Sequence, residues 1–282
     1  MPIDYLTYDV FTAAPFGGNP LAVLPEAQKI PEEQLQKIAR EFNYSETVFL
    51  YPPEDAANTA RLRIFTPFRE VPFAGHPTIG AAVALSELGH GSQNGPDMRL
   101  ELKIGLIEAT AAHGRAAFTT TTPLSILARP PRELAARCLG LYPDQIGSAP
   151  VLAGVGLEFT FVELTSRAAL ASCSPDPEAM RDGVRAYPSS HDFAVAAYFR
   201  EGDTLHMRMF APLDGVPEDP ATGSASAALV RLLAEQESRD LSLTIHQGDD
   251  MGRPSRITAT ANARGTTIGG HALRMMEGRL LV

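Results

Sequence analysis

The sequence predicts an α+β protein built from two similar domains. The first observation is an echo. Arg63, Phe65, Pro67, Val71 and Pro72 recur as Arg208, Phe210, Pro212, Val216 and Pro217, each 145 residues later. After a three-residue insertion, Gly75-His76 lines up with Gly223-Ser224, and each copy runs into an Ala-rich apolar stretch, Ala81 to Leu88 and Ala225 to Leu233. Each copy therefore reads as strand, Pro-kinked loop, Gly turn and helix, and a repeat at half the chain implies a duplicated fold with a pseudo-twofold axis. The second observation is length: 282 residues accommodate two domains of ordinary size, each with its own core. The third is composition: 44% hydrophobic and 20% charged residues belong to a globular chain, not a disordered one.

The elements follow in order. Ile3 to Phe11 alternates and is rich in β-formers, so it reads as a strand; Pro15 to Asn19 is a turn and Leu21 to Leu24 a second strand. Pro31 opens a helix whose Leu35, Ile38, Ala39 and Phe42 recur at helical spacing. Thr47 to Tyr51 and Arg61 to Phe65 are strands, and Gly75 to Leu88 is a helix closed by Gly89. Met98 to Lys103 and Leu106 to Thr110 form a hairpin around Gly105. Thr119 to Pro131, rich in Thr and Pro, marks the domain boundary. A short helix runs from Pro131 to Leu139. Strands at Glu158–Leu164, Val195–Phe199 and Leu205–Phe210 follow, then a helix from Gly223 to about Glu235, then strands at Leu241–His246 and Arg256–Thr260. Thr266 to Val282 reads as two strands around Glu277-Gly278. The expected domains are 1–120 and 121–262, with 263–282 as terminal strands free to cross back to the first domain.

Composition also excludes. A net charge of −9 without a basic block makes nucleic acid and anionic membrane poor partners. No apolar run reaches membrane-span length, and Met1-Pro2-Ile3-Asp4-Tyr5 lacks the basic and apolar regions of a signal peptide, so a cytoplasmic protein is expected. Cys138 and Cys173, far from either Gly turn, suit two unpaired thiols in a reducing compartment. His76, His90, His113, His191, His206, His246 and His271 show no metal-binding helix spacing, and there is no P-loop and no G-x-G-x-x-G after a strand, so no metal and no cofactor are expected. Gly223-Ser224-Ala225-Ser226-Ala227 lacks the last Gly of a nucleophile elbow.

Five motifs occur in order: Gly17-Gly18-Asn19-Pro20-Leu21-Ala22-Val23, Asn43-Tyr44-Ser45-Glu46-Thr47, Ala74-Gly75-His76-Pro77-Thr78-Ile79-Gly80, Glu218-Asp219-Pro220-Ala221-Thr222-Gly223-Ser224-Ala225, and Gln247-Gly248 with Arg253-Pro254-Ser255. Together, over nearly the whole chain, they resemble the PhzF family, the phenazine-biosynthesis isomerases and their relatives. The resemblance implies a diaminopimelate epimerase-like fold: two pseudo-symmetric domains, each a curved, mostly antiparallel sheet or barrel around a central helix, with the active site in the cleft between them. It also implies a homodimer. In the epimerase relatives a Cys precedes each Gly turn and the pair act as opposed bases. Here those positions hold Ala74 and Thr222, neither of which takes a proton from carbon at neutral pH.

Glu46 is the leading candidate. It shares a strand face with Val48 and Leu50, where desolvation raises a carboxyl pKa into the range useful for proton cycling. From the residues alone a solvated strand-end Glu is the plainer reading; the resemblance aligns Glu46 with the family's general acid/base. His76 lies in the first turn of a helix, which disfavours imidazolium and leaves a neutral hydrogen-bonding ring. Asp219 and Ser224 read by themselves as capping residues, and Asn19 as turn chemistry as much as a ligand. The resemblance assigns His76 and Asp219 to proton handling, and Ser224 to substrate contact.

The expected chemistry is a cofactor-independent proton shuttle, an isomerase of the PhzF type. A small acid binds between two helix N-termini, whose amides at Gly75-His76 and Gly223-Ser224 stabilise developing charge. Glu46 moves the proton, aided by Asp219 or His76. One strong base favours 1,3-isomerisation over inversion. Two rivals stand beside it: a serine hydrolase using Ser224 with His76, and a non-catalytic protein-binding member of the fold.

Overall fold

The computed structural model describes residues 2–90, 97–189 and 192–281; of the residues named above, Met1, His191 and Val282 lie outside them. The chain divides into two compact units, Met1–Thr120 with Ile268–Val282, and Thr121–Thr267.

The first unit is a closed barrel. Its strands are β1 (Ile3–Val10), β2 (Asn19–Leu24), β3 (Glu46–Tyr51), β4 (Ala60–Phe65), the short β5 (Glu70–Val71), β6 (Asp97–Leu102), β7 (Gly105–Ala112) and β8 (Arg115–Thr120). β1 pairs antiparallel with β2, β2 parallel with β3, β3 antiparallel with β4, and β4 parallel with β6. β6, β7 and β8 form a meander. The last strand, β17 (Gly265–Leu280), closes the ring by pairing with both β1 and β8. Helix α1 (Glu32–Phe42) lays Leu35, Ile38 and Ala39 into a core with Leu24, Phe49 and Phe65. Helix α2 (Gly75–Glu87) is buried on every side from Gly75 to Leu85 and touches β1, β2, β3, β7 and β8. Such a helix needs apolar residues all round, and Ile79-Gly80-Ala81-Ala82-Val83-Ala84-Leu85 supplies them. Its fit is close: a Cβ on Gly80 would meet Leu21 Cδ2 at 2.4 Å.

The second unit repeats the plan with β9 (Ser125–Ala128), β10 (Val151–Gly154), β11 (Glu158–Glu163), β12 (Val195–Glu201), β13 (Thr204–Ala211), β14 (Val216–Asp219), β15 (Leu241–Gln247) and β16 (Ser255–Asn262). β10–β11 is antiparallel, β11–β12 parallel, β12–β13 antiparallel and β13–β15 parallel, the same alternation as β1 to β6. Helix α6 (Gly223–Glu237) takes the place of α2, buried against β10, β11, β15 and β16. Helices α4 (Arg167–Ala171) and α5 (Pro177–Ala186) fill the β11–β12 crossover as α1 fills β2–β3, and with α3 (Arg132–Leu139) they carry a core around Cys138, Leu139, Leu170, Met180 and Phe193.

Side-chain details obey the duplication. Arg63 Nε and Nη2 clamp Glu70 at 2.8 and 3.0 Å, and Arg208 Nε and Nη2 clamp Glu218 at 2.8 and 2.7 Å. Each guanidinium also covers an aromatic ring two residues on, Phe65 at 5.2 Å and Phe210 at 4.9 Å. Thr78 Oγ1 and Ser226 Oγ donate to the carbonyls of Ala74 and Thr222, at 2.8 and 2.9 Å.

Two sequence expectations need correction. The three-residue insertion does not fall after Pro217. Ile64 pairs with Val71 and Met209 with Asp219, so the ladders match Val71 to Asp219, and the extra residues lie in the turn before β14, at Pro212 to Gly215. Nor does the C-terminal segment turn at Glu277-Gly278: β17 runs straight through, with Tyr5 opposite Gly278. That glycine serves close approach, since a Cβ there would meet Tyr5 Oη at 2.6 Å.

Candidate active site

The unit-one candidates converge at the start of α2. β2 opens on Asn19 because Gly18, at φ 61, turns the chain so tightly that a Cβ would stand 2.2 Å from the Val10 carbonyl oxygen. Leu21 pairs with Glu46 in the parallel β2–β3 ladder, which brings the two strand starts together. Asn19 and His76 are buried, whereas the Glu46 side chain keeps 19% of its surface.

Hydrogen bonds orient the group. Ser45 Oγ donates to Asn19 Oδ1 at 3.5 Å, which turns the amide nitrogen Nδ2 toward His76 Nδ1 at 3.3 Å. Nδ1 is the ring nitrogen that faces these partners, and Nε2 is buried without a hydrogen-bond partner. Burial pushes the His76 pKa down to about 3; a hydrogen bond with the Pro20 backbone works the other way and is outweighed. Glu46 Oε2 lies 3.5 Å from the same Nδ1. With a neutral ring this contact is not an ion pair.

The unit-two candidates gather at the start of α6. Asp219 ends β14 and is buried. Thr222 Oγ1 donates a short hydrogen bond to Asp219 Oδ2. Gln247, at the end of β15, accepts from the Thr222 amide at 3.0 Å and donates through Nε2 to the Asp219 carbonyl at 2.7 Å and to Thr222 Oγ1 at 3.0 Å. Gly223 is the first residue of α6 and Ser224 the second, partly exposed between buried neighbours. The helix cap is Thr222, without a side-chain cap bond, so neither Asp219 nor Ser224 fills the capping role that their residue types suggested.

Thr222 and Gln247 surround Asp219 through these bonds. The Gln247-Gly248 motif marked the position but gave no role. Both cysteines are buried away from these groups, their thiols pushed up to about 12 by desolvation. Among the described residues no cluster of three or more His, Cys, Asp or Glu could hold a metal, and no helix is long and apolar enough to cross a membrane.

A closed barrel around a buried helix, with its strand plan repeated in a second unit, is the diaminopimelate epimerase-like fold. A family model described as phenazine biosynthesis-like protein matches residues 8–278. An uncharacterised isomerase of Mesorhizobium japonicum is 37% identical, with 99% of each chain covered. The trans-2,3-dihydro-3-hydroxyanthranilate isomerase of Pseudomonas aeruginosa is 35% identical, with 98% of each covered. A crystal structure of a PhzF-family protein from Bacillus anthracis aligns with a TM-score of 0.88 at 23% identity over 100% of both chains. The chain belongs to the PhzF family of isomerases and epimerases.

Proposed function

We propose that this protein is a cofactor-independent isomerase that moves a proton between carbons of a small carboxylate-bearing metabolite, with Glu46 as the acid/base. The observation that carries the reading is the placement of Glu46: partly exposed, at the start of a buried helix, beside a histidine held neutral. Amide groups around Gly75-His76, and around Gly223-Ser224, stabilise the charge that develops on the substrate. Asn19 binds substrate, and His76 and Asp219 assist the proton transfer. The curated relatives named as isomerases, one of a cyclic hydroxy amino acid, favour a substrate of that class.

The duplication supports isomerisation over inversion. Thr47 faces Phe65 and Val195 faces Phe210, so the residue matching Glu46 in the second copy is Ala194. One copy carries a shuttle and the other does not. With Ala74 and Thr222 at the turns, a second opposed base of the two-thiol kind is missing. The serine hydrolase is disfavoured by His76: a ring whose pKa is near 3 is a poor base for activating Ser224 at neutral pH. A homodimer and a cytoplasmic location complete the proposal.

The test is deuterium incorporation from solvent across a panel of cyclic and acyclic hydroxy and amino acids, trans-2,3-dihydro-3-hydroxyanthranilate included. Incorporation at carbon that Glu46→Gln abolishes is expected. Absence of incorporation across the panel, or a Glu46→Gln variant within about tenfold of the parent, sinks the reading.

A further inference from the structure

We propose that Thr222 and Gln247 are positioning residues that fix both the rotamer and the proton polarity of Asp219, so that its Oδ2 only accepts and any proton it exchanges passes through Oδ1. The argument starts from Gln247, which is 1% exposed. Its amide cannot be flipped. Oε1 faces an N–H donor, the Thr222 amide, and Nε2 faces the Asp219 carbonyl, an acceptor only. Nε2 therefore has its second hydrogen to give to Thr222 Oγ1.

Thr222 is constrained in turn. Its hydroxyl oxygen accepts from Gln247, and its own single hydrogen points at Asp219 Oδ2. If Oδ2 were protonated it would donate to Thr222, and the threonine hydrogen would lose this partner in a site 8% exposed, at the cost of an unmet buried donor. The backbone that carries the lock is itself tied. Ser255 Oγ lies within hydrogen-bond reach of the Pro220 and Gln247 carbonyls, at 2.8 and 2.9 Å, and Ser226 Oγ donates to the Thr222 carbonyl at 2.9 Å. The first copy holds Ala74 where the second holds Thr222, and Val71 where it holds Asp219, so the lock belongs to the second copy alone.

The catalytic part of this inference rests on the isomerase reading; the hydrogen-bond direction does not. The test has two arms. In the substrate-free protein, proton NMR should show a downfield, slowly exchanging hydroxyl resonance, absent in Thr222→Val and restored in Thr222→Ser. In turnover, Thr222→Val should lower kcat by about tenfold or more while KM moves less than about threefold, with Thr222→Ser recovering most of the loss. No such resonance in the parent, or one that survives Thr222→Val, overturns the lock. A resonance that behaves as expected with an unchanged kcat overturns the positioning role. If the parent turns over nothing, the isomerase reading and the catalytic role fail together, and the NMR arm still decides the hydrogen-bond direction.

Discussion

Glu46 Oε2 stands 3.5 Å from His76 Nδ1, and the two do not neutralise each other. The ring contacts Asn19 through that nitrogen and is too buried to take up a proton near neutral pH. Glu46 therefore stands beside a neutral ring. We expect Glu46→Gln, nearly isosteric and unable to cycle a proton, to lower substrate proton exchange by ~10²–10⁴-fold with ligand binding retained. Exchange kinetics and a calorimetric titration on the same variant check both halves.

His76 also sets an acid limit on stability. Its folded pKa lies below the unfolded value, so between roughly pH 6.5 and 3 the unfolded chain binds a proton that the folded chain refuses. Stability from this group is present above that window and is lost as pH falls through it, at up to about 1.4 kcal/mol per pH unit. Urea unfolding of His76→Gln across this range should show a pH slope shallower than the parent's by about one proton. An unchanged slope would mean that the folded ring protonates normally.

The cysteines should be chemically silent. Buried thiols with pKa pushed to about 12 are neither nucleophiles nor carbon bases. A thiol reagent should label neither residue in the native protein and both after denaturation. The double variant Cys138→Ala, Cys173→Ala should keep its rate of solvent exchange, and a loss beyond about tenfold would return a thiol to the mechanism.

The twin arginine clamps should differ in weight. Arg208 also donates to the carbonyls of Leu170, Ala171 and Cys173, whereas Arg63 also pairs with the exposed Glu32. Removing one partner of a sheltered pair leaves a charge and its acceptors unpaired. Arg208→Met should cost roughly 3 kcal/mol and Arg63→Met less. Denaturant midpoints of the two variants give the comparison.

Much of this was legible in the chain. The 145-residue echo located both barrels' strand–loop–helix units, because Arg, Phe, Pro and Gly sit where clamp, ring contact, kink and helix start require them. Period-two alternation placed Glu46 on a strand with Val48 and Leu50, both buried in the fold. The short helices α4 and α5 lie where the sequence reads as loop: α4 has only five residues, and the amphipathic α5, which buries Ala179, Met180 and Gly183, has only ten and begins within Pro175-Asp176-Pro177. Gly278 looked like a turn because glycine's tolerance of close packing leaves the same mark as its tolerance of bending. The Gln247 lock was invisible for a different reason. A hydrogen bond across 25 residues has no periodic signature and depends on β15 ending beside the start of α6.

The route of β17 has a consequence for biosynthesis. The strand that closes the first barrel leaves the ribosome only after all of Thr121–Thr267 has been made. Until then β1 and β8 lack the strand that joins them, and their open edges invite pairing with other chains. The second unit, contiguous in sequence, has no such wait. The usual order of synthesis, N-terminal domain first, is thereby inverted: the first unit begun is the last completed, and its open interval is when a nascent chain depends most on chaperones.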